Sequence, residues 1–262
     1  MDTQELARGY TVANDTQVNA GHFLLDRLKI TPGMRVLDVG CGPGDLTAHI
    51  ASLVGDQGSV VGVDPSPERI AIATNRTPRP PNLTFHEGIA EDLSRFPAAS
   101  FDVVFVNSTL HWVQDQPAAL REFARVLKPG RGRVGISGGS GDYLTAQERI
   151  KADVLSREPY RRYPEAAPPK FLKRSELEGL LRDAGFGGWD VVVNKIVKTA
   201  RDADAIIDWL DTSSSGKTYG GIPLQLRPAA REEMREEWSK LAAEDGMIRM
   251  EMELLVTVAV RA

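Results

Sequence analysis

The amino-acid sequence predicts an α/β fold with a doubly wound, mostly parallel sheet of seven strands. Three observations lead to this prediction. Short apolar runs alternate with helical patterns through the first half of the chain, a glycine-rich loop follows the first run, and two longer apolar runs lie towards the C-terminus. The 262 residues are 42% hydrophobic and 26% charged, which excludes a disordered or collagen-like chain.

Five short strands are predicted in the first half, each an apolar run of the kind that is buried on both faces of a sheet. Between them, apolar residues recur at helical spacing, and Ser66 followed by Pro67 marks the start of a helix. Strands that alternate with helices pair in parallel, which indicates a doubly wound sheet. The strands are expected at 36–39, 60–63, 83–85, 101–105 and 134–136, and the helices at 18–28, at 46–54, from 67 onward and at 120–127.

Two helices are predicted after the fifth strand. One lies near 145–157, in a region rich in Gly, Pro, Arg and Tyr. The other begins with a capping box formed by Ser175 and Glu178, in which each side chain binds a backbone amide of the first turn, and it stops at Gly185.

The sixth and seventh strands are predicted at 189–197 and 254–260. Adjacent strands need only a short turn, so the long insertion between these two, with helices at 205–210 and 232–243, is expected to form a helical cap over the functional edge of the sheet. The chain is predicted to be one domain, with N-terminal lid helices at 1–29, a ligand-binding core at 30–138 and variable cap or substrate regions at 139–173 and 199–249.

The charge balance and the cysteine count exclude several classes of function. Lysine and arginine number 32 against 36 acidic residues, so a net charge of −4 gives no overall attraction to nucleic acid or to an anionic membrane. A single cysteine excludes a disulfide framework and a zinc site built on several cysteines, and no metal is expected. Without a signal-like N-terminus or an apolar run of about 18 residues, we expect a cytoplasmic protein.

The segment from Val36 to Gly44 carries the strongest functional signal, because a strand runs into three glycines and then into a helix. Glycines at this place permit a tight turn and let a ligand touch the backbone. Their G-x-G-x-G spacing differs from the G-x-G-x-x-G of dinucleotide folds, and Pro43 removes one amide that would bind a pyrophosphate. The loop therefore suits a ligand without phosphates.

Two acidic residues accompany this loop. Asp38 precedes it, where a carboxylate can meet a cationic group, and Asp64 ends the next strand, where a carboxylate can bind both hydroxyls of a ribose. S-adenosylmethionine has a ribose, an ammonium and a sulfonium, so it fits this pair of acids. The alternatives are that Asp38 only stabilises the loop and that Asp64 only starts a helix.

Residues 37–44 (LDVGCGPG) resemble the first motif of class I S-adenosylmethionine-dependent methyltransferases of the type 11 kind. Three later features resemble further motifs of that family in the same order: Asp64 its ribose-binding acid, 88–93 its adenine-side segment, and 127–130 the turn before its fifth strand. The resemblance implies a Rossmann-like fold, S-adenosyl-L-methionine as cofactor and S-adenosyl-L-homocysteine as product. Ile89 stands where the family often has Asp, so the adenine amino group would depend on backbone near Ala90 or on Glu91.

The cofactor-binding residues expected on this basis are Tyr10, Gln17, Asp38, Gly40, Cys41, Gly42, Gly44, Asp64, Pro65, Ile89, Ala90, Glu91 and Asn107. Within this set, the Cys41 side chain is expected to be a small buried filler of the loop rather than a nucleophile.

The segment that follows the fourth strand, from Asn107 to Val113, lies where doubly wound sheets bind ligands. His111 is a candidate general base, and Trp112 is a candidate wall of the acceptor pocket or a donor to an acceptor oxygen. Gln17 shares a helix face with Tyr10 and Asn14. The alternatives are a turn-capping His111, a core Trp112 and a solvated helix face.

The 110–114 run is similar to that of juvenile hormone acid methyltransferases, and 203–210 is similar to a segment of trans-aconitate methyltransferases. This likeness implies that Gln17 and Trp112 hold a carboxylate, so the expected catalytic residues are His111, Trp112 and Gln17. We expect methyl transfer to a small molecule at a carboxylate or hydroxyl oxygen, by a monomer or homodimer without a nucleic acid or membrane partner. Open alternatives are methyl transfer to nitrogen, carbon or sulfur, a non-methylating cyclase or binding module, an RNA methyltransferase and an NAD-linked oxidoreductase.

Overall fold

A computed structural model describes residues 15–76, 80–214 and 216–262. Its strands are β1 (Arg35–Val39), β2 (Ser59–Asp64), β3 (Leu83–Glu87), β4 (Val103–Asn107), β5 (Arg133–Gly139), β6 (Phe186–Ala200) and β7 (Ile248–Arg261). They form one sheet in the order β3-β2-β1-β4-β5-β7-β6. The first five strands pair in parallel, whereas β7 runs antiparallel to β5. The predicted fold class is confirmed.

The α-helices of the described residues are α1 (Asp15–Leu28), α2 (Asp45–Val54), α3 (Pro67–Thr74), α4 (Gln116–Val126), α5 (Ala146–Leu155), α6 (Arg174–Asp183), α7 (Ala203–Ser213) and α8 (Arg227–Ser239). Single turns of 3-10 helix lie at Leu110–Trp112, Tyr160–Arg162, Lys217–Tyr219 and Leu224–Leu226. Helix α3 starts as the sequence predicts, because the hydroxyl of Ser66 accepts a hydrogen bond from the Arg69 N–H at 3.2 Å and Pro67 occupies the first helical position.

The predicted capping box at the start of α6 is wrong. The helix begins at Arg174, so Ser175 already lies within its first turn. The side chain of Glu176, rather than that of Glu178, returns to the start of the helix and accepts a hydrogen bond from the Lys173 N–H at 2.8 Å. The boundary therefore lies two residues earlier than a box starting at Ser175 requires.

Several strand boundaries also differ from the prediction. The fourth strand begins at Val103, and Phe101 makes only an isolated bridge with Leu127. Strands β6 and β7 are longer than their predicted runs. Glu253, in the extension of β7, forms an ion pair with Lys195 of β6 at 3.2 Å. A charged pair between strands stabilises a segment that hydrophobicity alone does not mark.

The two faces of the sheet are visible along β5. Ile136 packs into the main core with Phe123 of α4 and Leu177 of α6. The neighbouring Gly135 faces the opposite side, where Leu28 of α1 packs so closely that a Cβ atom on Gly135 would lie 2.6 Å from its Cδ1 atom. Because the first five strands are parallel, the loops after β1, β2, β3 and β4 all leave the same edge of the sheet.

The chain divides into two compact units. The larger unit comprises Asp15–Asp142, Pro169–Asn194 and Leu254–Ala262, and it contains the glycine loop with every residue of the candidate site described below. The described part of the smaller unit comprises Tyr143–Pro168 and Lys195–Glu253, and it has its own core around Met234 and Trp238. No helix in the ranges that the structure describes is long and apolar enough to cross a membrane.

Candidate active site

The loop between β1 and α2 requires its glycines for two reasons. Gly40, Gly42 and Gly44 have φ angles of 78°, 54° and 86°, a region that residues with a Cβ atom rarely adopt. A Cβ atom on Gly40 would also lie 2.1 Å from the hydroxyl of Thr109, the second residue after β4. The loop after β1 and the loop after β4 therefore meet at Gly40.

Every backbone N–H of the loop from Gly40 to Gly44 is already hydrogen-bonded within the protein, and Pro43 has none. The acceptors are the Val63 carbonyl, the Asp64 carboxylate and the Cys41 carbonyl, at distances from 2.7 to 3.1 Å. Pyrophosphate binding in dinucleotide folds depends on amides that point at the ligand. The loop therefore offers carbonyl groups and bare Cα surface rather than an anion site, which argues against an NAD-linked enzyme.

Asp64 is buried at the end of β2 and links two loops. Its Oδ2 atom accepts from the Gly42 N–H at 2.9 Å, and its Oδ1 atom accepts from the Ser66 N–H at 2.9 Å across the exposed Pro65. The helix start is formed by Ser66 itself, so Asp64 does more than cap α3. A carboxylate with about four acceptor positions, at the end of the second strand of such a sheet, is the type of group that binds the two hydroxyls of a ribose.

Asp38 is buried in β1, and its side chain accepts a hydrogen bond from the hydroxyl of Thr47 in α2 at 2.7 Å. Burial raises the pKa of Asp38 from 3.8 to about 7, the Thr47 hydrogen bond opposes that rise, and the nearby charge of Asp64 adds to it. Near neutral pH this carboxyl group therefore exchanges a proton instead of holding a permanent negative charge.

The side chain of Cys41 is buried in the loop, and a Cβ atom on Gly62 would lie 2.9 Å from its sulfur. Burial raises the pKa of the thiol well above its usual value, and the charges of Asp38 and Asp64 raise it further. Since the nucleophilic form is the thiolate, this geometry agrees with a filler of the loop rather than a reactive cysteine.

The 88–91 segment follows β3 and is attached to Asp64, whose carbonyl accepts from the Gly88 N–H at 3.1 Å. Ala90 is buried, but the side chain of Ile89 is 49% exposed. The carboxylate of Glu91 accepts hydrogen bonds from the backbone amides of residues 114 and 115, at 3.2 and 3.4 Å. Glu91 thus ties the segment after β3 to the segment after β4.

Gln17 of α1 and Asn107 at the end of β4 are joined by a hydrogen bond of 2.9 Å, from the Asn107 side-chain amide to the Gln17 carbonyl. The buried side-chain oxygens of both residues, Gln17 Oε1 and Asn107 Oδ1, have no hydrogen-bond partner among the described residues. Buried acceptors are costly unless a donor reaches them. An ammonium group has three donors and is a type of ligand group that satisfies such acceptors. Tyr10, the predicted neighbour of Gln17, lies outside the described residues.

His111 and Trp112 form a single 3-10 turn after β4. The imidazole stacks on Phe171, with ring centroids 4.9 Å apart and an interplanar angle of 29°, and it is tilted against Trp112 at 5.0 Å. Its Nδ1 atom lies 3.4 Å from where a Cβ atom on Gly138 would be. The ring is therefore held on several sides, beside the end of β5.

A small cavity lies next to His111 on the face of the sheet covered by α4 and α6. Its other polar residues are Gln116 and Lys170, and its apolar lining comes from Leu110, Ile136, Leu172, Leu177 and Leu255. The predicted catalytic residues thus fall into two groups: His111 lines this cavity and its ring contacts Trp112, whereas Gln17 is bonded to Asn107. No group of three or more potential metal ligands occurs within the described ranges.

Sequence reasoning missed three residues that shape this site. Thr109 packs over Gly40, Phe171 stacks on His111, and Gln116 bonds to the backbone on both sides of the cavity. The one available signal was Phe171, a large apolar residue in an otherwise proline- and lysine-rich stretch. No local sequence pattern predicts a role for Gln116, because a polar residue is common at the start of a helix.

A family model for a methyltransferase domain matches residues 37–133. Over 201 residues the chain is 32% identical to the ubiquinone/menaquinone biosynthesis C-methyltransferase UbiE of Vibrio parahaemolyticus, and the alignment covers 69% of this chain and 77% of that enzyme. The chain spans about half the length of enzymes with the same name from Vibrio campbellii and Shewanella baltica, 51% and 53% respectively.

Two solved structures share the fold at low sequence identity. The YcgJ protein of Bacillus subtilis is 18% identical with a TM-score of 0.64, over 93% of this chain and 99% of that one. Phosphoethanolamine N-methyltransferase 2 of Haemonchus contortus is 20% identical with a TM-score of 0.63, over 99% of this chain and 58% of that one. The chain therefore shares its overall fold with these two structures.

Proposed function

Because the chain belongs to the family of S-adenosylmethionine-dependent methyltransferases, we propose that it methylates a small molecule at an oxygen atom, either a carboxylate or a hydroxyl. When bound, S-adenosylmethionine supplies a methyl group that its sulfonium activates for direct displacement. The protein then has to bind the cofactor, align the acceptor and exclude water.

In this proposal the cofactor is held along the edge where β1, β2, β3 and β4 end. Asp64 binds the ribose hydroxyls, and the exposed side chain of Ile89 contacts the adenine. The side-chain oxygens of Gln17 and Asn107, which have no partner among the described residues, accept hydrogen bonds from the ammonium of the methionyl end. The loop from Gly40 to Gly44 contributes its backbone surface and places no amide against a phosphate.

The single observation that supports a hydroxyl acceptor is the held ring of His111 beside the cavity. An imidazole fixed in this way can take the proton of a hydroxyl as the methyl group is transferred. A carboxylate acceptor is already ionised at neutral pH and needs no base, and in that case Trp112 and Gln17 hold it.

The test is an assay of S-adenosylhomocysteine formation with a panel of small carboxylic acids, phenols and alcohols, followed by the mass of each product. For a hydroxyl acceptor, kcat/KM should fall as the pH is lowered, because a protonated His111 cannot accept the proton. The His111→Ala variant should not show this fall in kcat/KM at low pH. For a carboxylate acceptor, His111→Ala should leave the pH profile unchanged. His86→Ala on β3 is the matched control. The proposal would be contradicted if none of the acids, phenols and alcohols is methylated.

A second candidate is transfer to carbon, because the curated relatives are described as C-methyltransferases. The two reactions differ in the product. With a 13C-labelled methyl group, the carbon resonance separates a methyl on oxygen from a methyl on carbon, and mild alkaline hydrolysis releases methanol from an ester alone. A carbon-bound methyl in the product would replace the oxygen proposal.

A further inference from the structure

The side chain of Gln116 is buried at the start of α4, with only 4% of the residue exposed. Its amide nitrogen donates two hydrogen bonds, one to the Leu110 carbonyl at 3.0 Å and one to the Lys170 carbonyl at 2.9 Å. A glutamine amide has two N–H donors. Both are therefore used within the protein, and they join two segments that lie far apart in the sequence.

Three further contacts attach the 169–172 segment to the turn that carries His111. The Lys170 N–H donates to the His111 carbonyl at 2.7 Å, and the Lys170 ammonium donates to the Gln114 carbonyl at 2.6 Å. Phe171 stacks on the imidazole at 4.9 Å. The position of the His111 ring thus depends on where the 169–172 segment is held.

Glycine at position 139 makes room for this arrangement. A Cβ atom there would lie 2.9 Å from the ring of Phe171, closer than carbon atoms approach without displacement. The Gly141 N–H in turn donates to the Leu172 carbonyl at 2.9 Å. The end of β5 therefore supports the same segment from its other side, and Phe171 has little room to move away from His111.

We propose that Gln116 is a positioning residue for methyl transfer, which acts by fixing the 169–172 segment and, through it, the orientation of His111. This inference rests on the proposed function, because it matters to the reaction only if His111 serves the acceptor. Glutamine is specified by geometry: an asparagine is one methylene shorter, a carboxylate has no N–H to donate, and an apolar side chain removes both bonds that join Leu110 to Lys170.

The consequence for the reaction is a loss of alignment without a loss of cofactor binding. The two side-chain hydrogen bonds of Gln116 go to Leu110 and to Lys170. Neither of these residues belongs to the proposed cofactor site. A small misplacement of a reacting group costs roughly 10-fold to 100-fold in rate. We therefore expect Gln116→Met to lower kcat by about 10-fold or more and to leave the dissociation constant of S-adenosylhomocysteine within about twofold.

The experiment that decides the proposal needs no acceptor. The chain has four histidines, so the His111 ring protons can be assigned by NMR from their absence in His111→Ala. Because the imidazole stacks on the face of Phe171, these protons should resonate upfield of their usual position in the wild-type enzyme. In Gln116→Met, with or without S-adenosylhomocysteine, they should move downfield and broaden as the stack loosens. Gln114→Met is the matched control, because that exposed side chain bonds only to the Trp112 carbonyl.

The outcomes separate the positioning role from the proposed function. Unchanged His111 resonances in a folded Gln116→Met enzyme would overturn the positioning role, whatever the reaction turns out to be. Shifted resonances together with full turnover in His111→Ala would instead refute the role of His111 in the proposed function. If Gln116→Met does not fold, Lys170→Met removes one exposed bond of the same segment, and it should shift the same resonances in the same direction.

Discussion

The side-chain amide of Asn107 donates a hydrogen bond to the backbone carbonyl of Gln17 at 2.9 Å, which joins the end of β4 to helix α1. The bond turns the amide oxygen of Asn107 away from that carbonyl, and this oxygen is buried without a partner among the described residues. The same is true of Gln17 Oε1. Two buried acceptor oxygens therefore require a hydrogen-bond donor, and an ammonium group of the cofactor can supply it.

Replacement of Asn107 by Leu should weaken cofactor binding. A hydrogen bond to a charged group contributes about 1.5–3 kcal/mol, so we expect a loss of at least about 10-fold in affinity by calorimetric titration. The loss should be equal for S-adenosylmethionine and S-adenosylhomocysteine, because both carry the ammonium. Asn82→Leu is the matched control: its amide bonds only to carbonyls of residues 51 and 55, so stability should fall while affinity is kept. A loss confined to S-adenosylmethionine would point to the sulfonium instead.

Replacement of Asp64 by Asn should weaken binding of the adenosyl part. The variant keeps one acceptor oxygen where the wild-type enzyme has two, so it cannot serve the Gly42 amide, the Ser66 amide and both ribose hydroxyls together. We expect a loss of roughly 10-fold to 100-fold in affinity for S-adenosylhomocysteine. Asp56→Asn, at an exposed aspartate of the loop before β2, is the control. Unchanged affinity in Asp64→Asn would exclude Asp64 from the ribose site.

The features that the sequence predicted correctly depend on local patterns. The glycine spacing, the acid that ends β2, and Ser66 before Pro67 each show in a few consecutive residues, because strand ends and helix starts limit which residues can stand there. Parallel pairing then brings the ends of successive strands to one edge without further information.

The features that the sequence did not predict depend on contacts between distant segments. Gln116 meets Lys170, which lies 54 positions later, and nothing in either segment indicates this partner. The true start of α6 was missed because a carboxylate two positions before Glu178 returns to the backbone equally well. The burial that changes Asp38 also follows from packing of α2 on β1, which residue spacing does not specify.

Replacement of Gly40 by Ala should cost more stability than the same change at Gly33. Both glycines have a positive φ angle, 78° and 85°, so both variants bear a similar backbone strain of about 1 kcal/mol. Only at Gly40 would the new Cβ atom meet Thr109, at 2.1 Å, whereas nothing lies within 4 Å at Gly33. We expect Gly40→Ala to lower the free energy of unfolding by about 1–3 kcal/mol more than Gly33→Ala in urea denaturation. Equal losses would show that Thr109 can move aside.

Replacement of Asp38 by Asn should change the pH dependence of stability. With a pKa of about 7 in the folded enzyme and 3.8 in the unfolded chain, Asp38 holds its proton better when folded. Its contribution to the free energy of unfolding is fully present below about pH 4 and is lost between pH 4 and about pH 7. Above about pH 7 the ionised Asp38 therefore destabilises the fold. At 1.36 kcal/mol per pKa unit the penalty is about 4 kcal/mol.

Asp38→Asn should therefore gain stability over the wild-type enzyme above pH 7 in urea denaturation, with a gain that shrinks towards pH 4. Thr47→Val removes the bond that lowers this pKa, so the loss should still begin near pH 4 but continue to higher pH than in the wild-type enzyme. A wild-type enzyme whose stability rises between pH 4 and 7 by the same amount as that of Asp38→Asn would contradict the raised pKa.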